Sequence, residues 1–295
     1  MLTRALLPLV ALIALLGITG CPPKPAASPS PKAAEPATTN GTPDTATPAA
    51  TEEPLTPELE RILKTDKKLR VGLEAEFKPF EYKTDTGDLV GFDVDLAKAI
   101  AGQLGVPVEF TETKWEGIIP DLLSSKYDLI MSGMTATEER SKTIAFSNPY
   151  YHTGLCVLLN KEKAGTITEV HQLDDPARTV ALKTGTTSDI WVTANFTKAK
   201  VTRVSEEATA ALEVSQGRAD AMVYDMLSIK LHHDENPDTT LALLDPFTSE
   251  PYAIGLRQED TGLQRRINTI LESLEQDGTI DTIYKKHFGD MPRVK

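Results

Sequence analysis

Four short stretches of the sequence concentrate groups able to grip a small charged molecule. They are Glu74-Ala75-Glu76-Phe77, Ser132-Gly133-Met134-Thr135 with Arg140 five residues beyond Thr135, Lys183-Thr184-Gly185-Thr186-Thr187, and Tyr224-Asp225. A carboxylate is matched by a guanidinium fork and by the backbone N–H groups of a helix start. Arg140, Thr135 and Thr186-Thr187 can supply those. An ammonium is matched by a buried carboxylate, which Asp225 can supply. Phe77 and Trp115 can exclude water and attract a cation through their ring faces. A free amino acid carries both charges on one carbon, so the set fits that zwitterion. Each member also has a plainer reading. Arg140 stands among Glu138, Glu139 and Lys142, as a solvated helix residue would. Phe77 and Trp115 suit a core, Asp225 suits a helix N-cap, and Glu74 suits a surface.

The elements that must position these groups are legible as an alternation of short apolar runs with amphipathic segments. Leu69–Leu73 reads as a strand. Asp95–Leu104 reads as a helix, with Leu96, Ile100 and Leu104 four residues apart and Ala97 and Ala101 beside them. Gly105 stops it. Val106–Phe110 is a strand, Gly117–Ser124 a helix and Asp128–Met131 a strand. The arrangement recurs in Val180–Lys183, a helix through Ile190 and Trp191, Val201–Val204, Ala208–Val214 and Asp220–Val223. Ser125-Lys126-Tyr127-Asp128-Leu129-Ile130-Met131 and Gly217-Arg218-Ala219-Asp220-Ala221-Met222-Val223 share one plan: a helix end, a basic residue, a spacer, an aspartate and a buried strand. The alternation predicts α/β architecture with largely parallel sheets. Ligands in such sheets sit beyond the carboxyl ends of the strands, which is where the four stretches lie.

The N-terminus has a different composition. Arg4 precedes an apolar run, Ala5–Gly17, too short to span a bilayer, which needs roughly 20 residues. Basic charge, short apolar core and small residues read as a secretory signal, 1–20. The run ends Ile18-Thr19-Gly20-Cys21, which resembles the bacterial lipobox; the resemblance implies cleavage before Cys21 and lipidation there, anchoring the chain to a membrane. Residues 21–57 hold about half of the 20 prolines and almost no large apolar residues, so they read as an unstructured tether. With Cys21 acylated, the other cysteine, Cys156, reads as a small core residue. The net charge of −12 and the lack of a basic stripe argue against nucleic-acid binding. Lys183-Thr184-Gly185 lacks the Ser-x-x-Lys that a β-lactamase needs. No Walker pattern is present, and His232-His233 diverge on a helix, so neither a cofactor nor a metal is expected.

Several motifs together resemble one family. They are Gly91-Phe92-Asp93-Val94-Asp95-Leu96-Ala97, Trp115-Glu116-Gly117-Ile118-Ile119-Pro120, Gly133 to Arg140 followed by Ile144-Ala145-Phe146-Ser147, Lys183-Thr184-Gly185-Thr186, and Gly278-Thr279-Ile280 with Tyr284-Lys285-Lys286. In order, over about 66–290, the chain resembles the bacterial extracellular solute-binding proteins of family 3, which serve polar amino-acid ABC transporters. The resemblance implies a type II periplasmic-binding-protein fold of two α/β lobes joined by two crossovers. Lobe one would be 58–150 plus 252–295 and lobe two 151–251, with hinges near Tyr150–Thr153 and Ser249–Tyr252. By position it implies that Arg140 binds the ligand carboxylate and that Ser132, Gly133, Thr135 and Thr186 donate to it. Asp225 would bind the ammonium, and Phe77 and Trp115 would clamp the ligand. Glu74 stands where many members carry Asp near the ligand side chain, which leaves specificity open. Glu74 and Glu76 favour a cationic or amide side chain; Lys183 suits glutamine's carbonyl or an acidic ligand. The expected role is an extracytoplasmic, lipid-anchored monomer that delivers a basic or amide amino acid to ABC permease subunits and is not an enzyme. A cyclohexadienyl dehydratase and a sensor module for a signalling receptor are the alternatives.

Overall fold

The computed structural model describes residues 55–291 and 293. The expectations of a signal segment, of lipidation at Cys21 and of a tether lie outside the described residues, apart from the last three tether positions. Pro57 opens a helical turn, Pro57–Glu60, whose Leu59 is buried, and the turn continues through Arg61–Asp66, whose Ile62 is buried. These two side chains join the main core.

Two five-stranded sheets carry the architecture. The first uses β1 (Leu69–Leu73), β2 (Val108–Glu112), β3 (Leu129–Ile130) and β4 (Ala145–Phe146). The second uses β5 (Leu155–Asn160), β6 (Thr179–Lys183), β7 (Lys200–Val204), β8 (Ala221–Asp225) and β9 (Thr240–Leu243). A returning strand, β10 (Gly255–Leu256), completes the first. The orders are β2-β1-β3-β10-β4 and β7-β6-β8-β5-β9. β1 runs parallel to β2 and β3, and β6 runs parallel to β7 and β8. Leu69, Val71 and Leu73, like Val180, Ala181 and Leu182, are fully buried, as strands covered on both faces require. β10 and β5 run antiparallel to their neighbours. Each sheet is therefore parallel only in one half, because β5 and β10 follow directly on the crossings between lobes rather than on a helix of their own lobe.

The repeated plan read in the sequence is a structural repeat. Ser125 and Gly217 both adopt a left-handed conformation, φ 63° and 71°. Asp128 accepts the N–H of Arg70 at 2.9 Å and pairs with that guanidinium; Asp220 accepts the N–H of Thr179 at 2.9 Å and pairs with Arg178 at 3.0 Å. In each lobe a buried aspartate thus pins one strand to the start of its parallel neighbour, β3 to β1 and β8 to β6.

The helix expected from Asp95 begins earlier, at Phe92, and ends at Gly105 with φ 72°. Its start is set by Gly91, at φ 138°, where a Cβ would lie 2.0 Å from the Phe80 carbonyl oxygen. The crossover strands Tyr151–Thr153 and Glu250–Tyr252 pair antiparallel with each other. Beneath them Phe80, Phe92, Tyr151, Tyr252, Tyr284 and Phe288 pack ring on ring, with centroids 4.9 Å apart for Phe80 and Tyr151 and 4.5 Å for Tyr284 and Phe288. Cys156 is buried in the core, and burial pushes its thiol up to about 12. No helix among the described residues is long and apolar enough to cross a membrane.

Candidate functional site

Strand ends from the two sheets meet at one cavity. Glu74 follows β1, Ser132 and Gly133 follow β3, Lys183 ends β6 and Asp225 ends β8, as chain topology places such groups at a shared rim. Phe77, Trp115, Thr135, Arg140 and Thr186 line the same cavity, so all ten residues singled out in the sequence converge there. Glu81, Thr187 and Tyr224 join them. Of these, Glu81 carried no sequence signal taken alone. The hairpin pairing of Phe77 with Glu81 puts it at the cavity, and recognising that hairpin was the one route to it.

The plainer readings separate from the functional ones. Arg140 is 9% exposed, not solvated. It follows the short helix cap at Thr137 and donates to the Thr135 carbonyl at 2.8 Å and, more weakly, to the Gly185 carbonyl at 3.4 Å. Among the described residues it has no ion pair. Burial lowers its pKa, opposed by Glu250 and Asp225. Asp225 occupies the N-cap of Met226–Glu235 but its side chain makes no cap hydrogen bond. Its Oδ1 is buried with no partner among the described residues, and burial pushes its pKa up to about 7. Glu74 is buried; it forms an ion pair across the cleft with Lys183 and accepts the Trp115 N–H at 3.1 Å. Trp115 lies over both cations, 5.2 Å from the Arg140 guanidinium and 5.7 Å from Lys183. Phe77 serves core and cavity at once, packing against Tyr224 of the other lobe at 6.0 Å.

Three of the residues act on their neighbours. The Ser132 hydroxyl accepts the Glu74 N–H at 3.0 Å and donates to Glu81 at 2.7 Å. The Gly133 N–H is turned to Asp93, 2.9 Å away, and away from the cavity. What Gly133 gives the site is space, since a Cβ there would lie 2.4 Å from the Phe77 ring. The Thr186 hydroxyl caps Thr187–Asn195 and donates to the Lys183 carbonyl at 2.8 Å. Its local contribution to a ligand is therefore the N–H groups of that helix start, which have no partner within the helix.

The lobes stand closed. Trp115 Nε1 donates to the Gly185 carbonyl at 3.1 Å, and Lys114 reaches Glu206 at 2.6 Å. The cavity volume is about 20 Å³, little more than the roughly 10–15 Å³ that one water needs. Glu74, Glu76 and Glu206 bring carboxylate oxygens within 4.8 Å of one another, but each already has a lysine partner, Lys183 for Glu74 and Lys114 shared by Glu76 and Glu206.

A model of the bacterial extracellular solute-binding proteins, family 3, matches residues 69–290. The chain belongs to this family. Among similar proteins, the L-cystine-binding protein of Escherichia coli (strain K12) is 30% identical over 221 residues, covering 75% of this chain and 82% of that protein. The L-arginine-binding protein of Pseudomonas aeruginosa is 31% identical, covering 76% and 89%. The crystal structure of an ancestral amino acid-binding protein, a precursor of cyclohexadienyl dehydratase, superposes with a TM-score of 0.73 at 41% identity, covering 78% of this chain and 99% of that one. The fold of this family-3 protein is the two-lobed type II periplasmic-binding-protein fold.

Proposed function

We propose that this family-3 protein captures a free amino acid with an amide or cationic side chain between its lobes and delivers it to an ABC importer. The observation that carries this reading is the pair of opposite charges left without ionic partners in one cavity. Arg140 is a buried guanidinium with no carboxylate of its own among the described residues, and Asp225 is a buried carboxyl with a free oxygen. A zwitterion supplies both missing partners. Its carboxylate meets Arg140, the Thr135 side and the Thr186-Thr187 helix start, and its ammonium meets Asp225.

The side chain then points to the Glu74–Lys183 pair. Once the lobes part and that contact opens, a terminal amide can insert between them, its carbonyl accepting from Lys183 and its NH2 donating to Glu74, so glutamine is the leading ligand. A cationic side chain competes with Lys183 for Glu74. Because the closed cavity has room for about one water, entry requires the lobes to part. The paired crossover strands, near Tyr150–Thr153 and Ser249–Tyr252, are where such rotation is absorbed. Contacts made only in the closed form shift the population towards it.

The chain acts as a binding protein and not as an enzyme, monomeric, with a signal segment at 1–20 and a lipid on Cys21 holding it outside the cytoplasm. The lobes divide at 58–150 plus 252–295 and at 151–251. A thermal-shift screen of the twenty amino acids followed by calorimetry tests the reading: stabilisation by glutamine, lysine or arginine supports it, and stabilisation by none sinks it. Mass spectrometry of Cys21 from membranes tests the anchor. A dehydratase reading is favoured by one feature, the Glu81 carboxyl in the cavity, whose pKa burial raises. Disappearance of prephenate on incubation would establish it.

A further inference from the structure

At the lobe-one wall of the cavity two carboxyl groups are fully buried, and among the described residues no cation is bonded to either. Glu81 Oε1 accepts from Ser132 at 2.7 Å, and its Oε2 has no hydrogen-bond partner among the described residues. Asp93, on the first turn of Phe92–Leu104, accepts at Oδ2 from the Gly133 N–H at 2.9 Å and from the Tyr150 hydroxyl at 2.7 Å; its Oδ1 likewise has none. The two groups are neighbours: the Asp93 N–H donates to the carbonyl of Phe80, the residue before Glu81, at 2.9 Å, and the consecutive residues Ser132 and Gly133 bond one carboxyl each. Two like charges buried side by side cannot both persist, and one proton between them answers both unpartnered oxygens.

We infer that Glu81 and Asp93 share a single proton, which the cavity releases when the bound side chain is cationic and retains when it is an amide. The pair thereby sets selectivity between those two ligand classes. This rests on the amino-acid-binding reading above. Glu81 is the member that lines the cavity, so it is the one that can face a side chain; Asp93 is the positioning partner. The surroundings agree. Burial is the largest effect raising Glu81, followed by the charge of Asp93, with Ser132 and Lys183 opposing and Glu74 adding to it. Burial pushes Asp93 up to about 6, against the Gly133 N–H and the Tyr150 hydroxyl. The nearby cation, Lys183, is already paired with Glu74. The phenols that face the pair, Tyr150 from the first crossover and Tyr224 from β8, are held by burial well above their ordinary range and remain neutral.

The step balances. A cationic ligand enters, the Glu81 O–H breaks, its proton leaves to solvent, and the carboxylate takes the ligand's charge. An amide ligand forms hydrogen bonds and the proton stays. Calorimetry in two buffers of different ionisation enthalpy, at pH 6, reads this directly. Wild type should release about one proton more on binding lysine than on binding glutamine, and the lysine-to-glutamine affinity ratio should rise by up to about tenfold per pH unit between pH 6 and 8. Asp225 meets the same ammonium in both ligands and cancels from the ratio.

In E81Q the two ligands should release equal numbers of protons and the ratio should stay flat. If E81Q fails to fold, D93N removes the neighbouring charge and should move the rise in the ratio to lower pH. If lysine alone binds, a release smaller by about one proton in E81Q than in wild type is the supporting result. Equal proton release in wild type, a flat ratio, or glutamine binding with no lysine binding up to pH 9 overturns the inference while leaving amino-acid capture intact. Binding of neither ligand overturns both.

Discussion

The two lobes share one scaffold and differ in how their binding groups are held. In both, a buried aspartate, Asp128 or Asp220, accepts an N–H at the start of the repeat's first strand, β1 or β6, and pairs with an adjacent arginine. Beyond the strand ends they diverge. Lobe one ties its groups to one another: Ser132 links Glu74 to Glu81, Asp93 links Gly133 to Tyr150, and the Thr135 carbonyl holds Arg140. Lobe two leaves Asp225 with a free oxygen, and Lys183 finds its ionic partner only across the cleft. A wall organised before a ligand arrives thus faces one whose charges are satisfied only on closure. That asymmetry suits capture on lobe one followed by completion from lobe two, since pre-organised contacts spare the ordering cost at the moment of binding.

The sharpest way to break this comparison is Arg140→Ala. The cavity would lose the one guanidinium that lines it among the described residues, and calorimetry should show about 2–5 kcal/mol of lost affinity for the amino acid that binds best; an unchanged Kd would remove Arg140 from the site. Next comes the shared scaffold. Asp128 serves Arg61 as well as Arg70, with side chains 27% and 20% exposed, whereas among the described residues Asp220 pairs with Arg178 alone. Urea unfolding should find Asp128→Ala destabilising by about 3 kcal/mol and Asp220→Ala by about 1–2 kcal/mol. The reverse order would undo the reading that extra partners make lobe one the firmer half.

Gly133→Ala probes close packing within lobe one. At φ 51° and with a Cβ 2.4 Å from Phe77, the change should cost about 1–3 kcal/mol in a thermal or urea melt. Gly185→Ala in lobe two, where the nearest atoms lie 3.8 Å away, meets only the backbone strain of φ 73° and should cost less. The smallest effect is a pH dependence. Asp225, raised by burial to about 7, must be ionised to hold an ammonium. Below pH 7 a proton must leave before binding, so affinity for glutamine should fall by up to about tenfold per unit, about 1.4 kcal/mol. Above pH 7 the affinity should level off. A constant Kd from pH 5 to 8 would show that Asp225 does not meet the ammonium.

Much of this was legible because it depends on order along the chain. Apolar spacing at Leu96, Ile100 and Leu104 marks a helix, and the parallel runs Ser125–Met131 and Gly217–Val223 mark the duplicated strand entry. Residues immediately after a buried strand must lie at its carboxyl end, so the strand-end groups Glu74, Ser132, Lys183 and Asp225 could be grouped before any coordinates. Asp93 shows the limit. In sequence it reads as a helix-shaping aspartate, and only the packing of Phe92–Leu104 under the Ser132–Gly133 loop makes it a buried acceptor for Gly133 and Tyr150. Glu81 was invisible for the same reason, since Asp93, Ser132 and Lys183 reach its surroundings from segments far apart in the chain.

The sequence by itself determined the alternation of strands and helices, the duplicated design, and which charged groups end up at the rim of each sheet, because those follow from periodicity and from chain connectivity. Tertiary structure alone decided which of those groups face one another. Burial, the pairing of Glu74 with Lys183, the shared surroundings of Glu81 and Asp93, and the lack of a carboxylate partner for Arg140 among the described residues depend on distances between segments far apart in the chain. Such distances are set by the packing of two lobes and not by local residue preference.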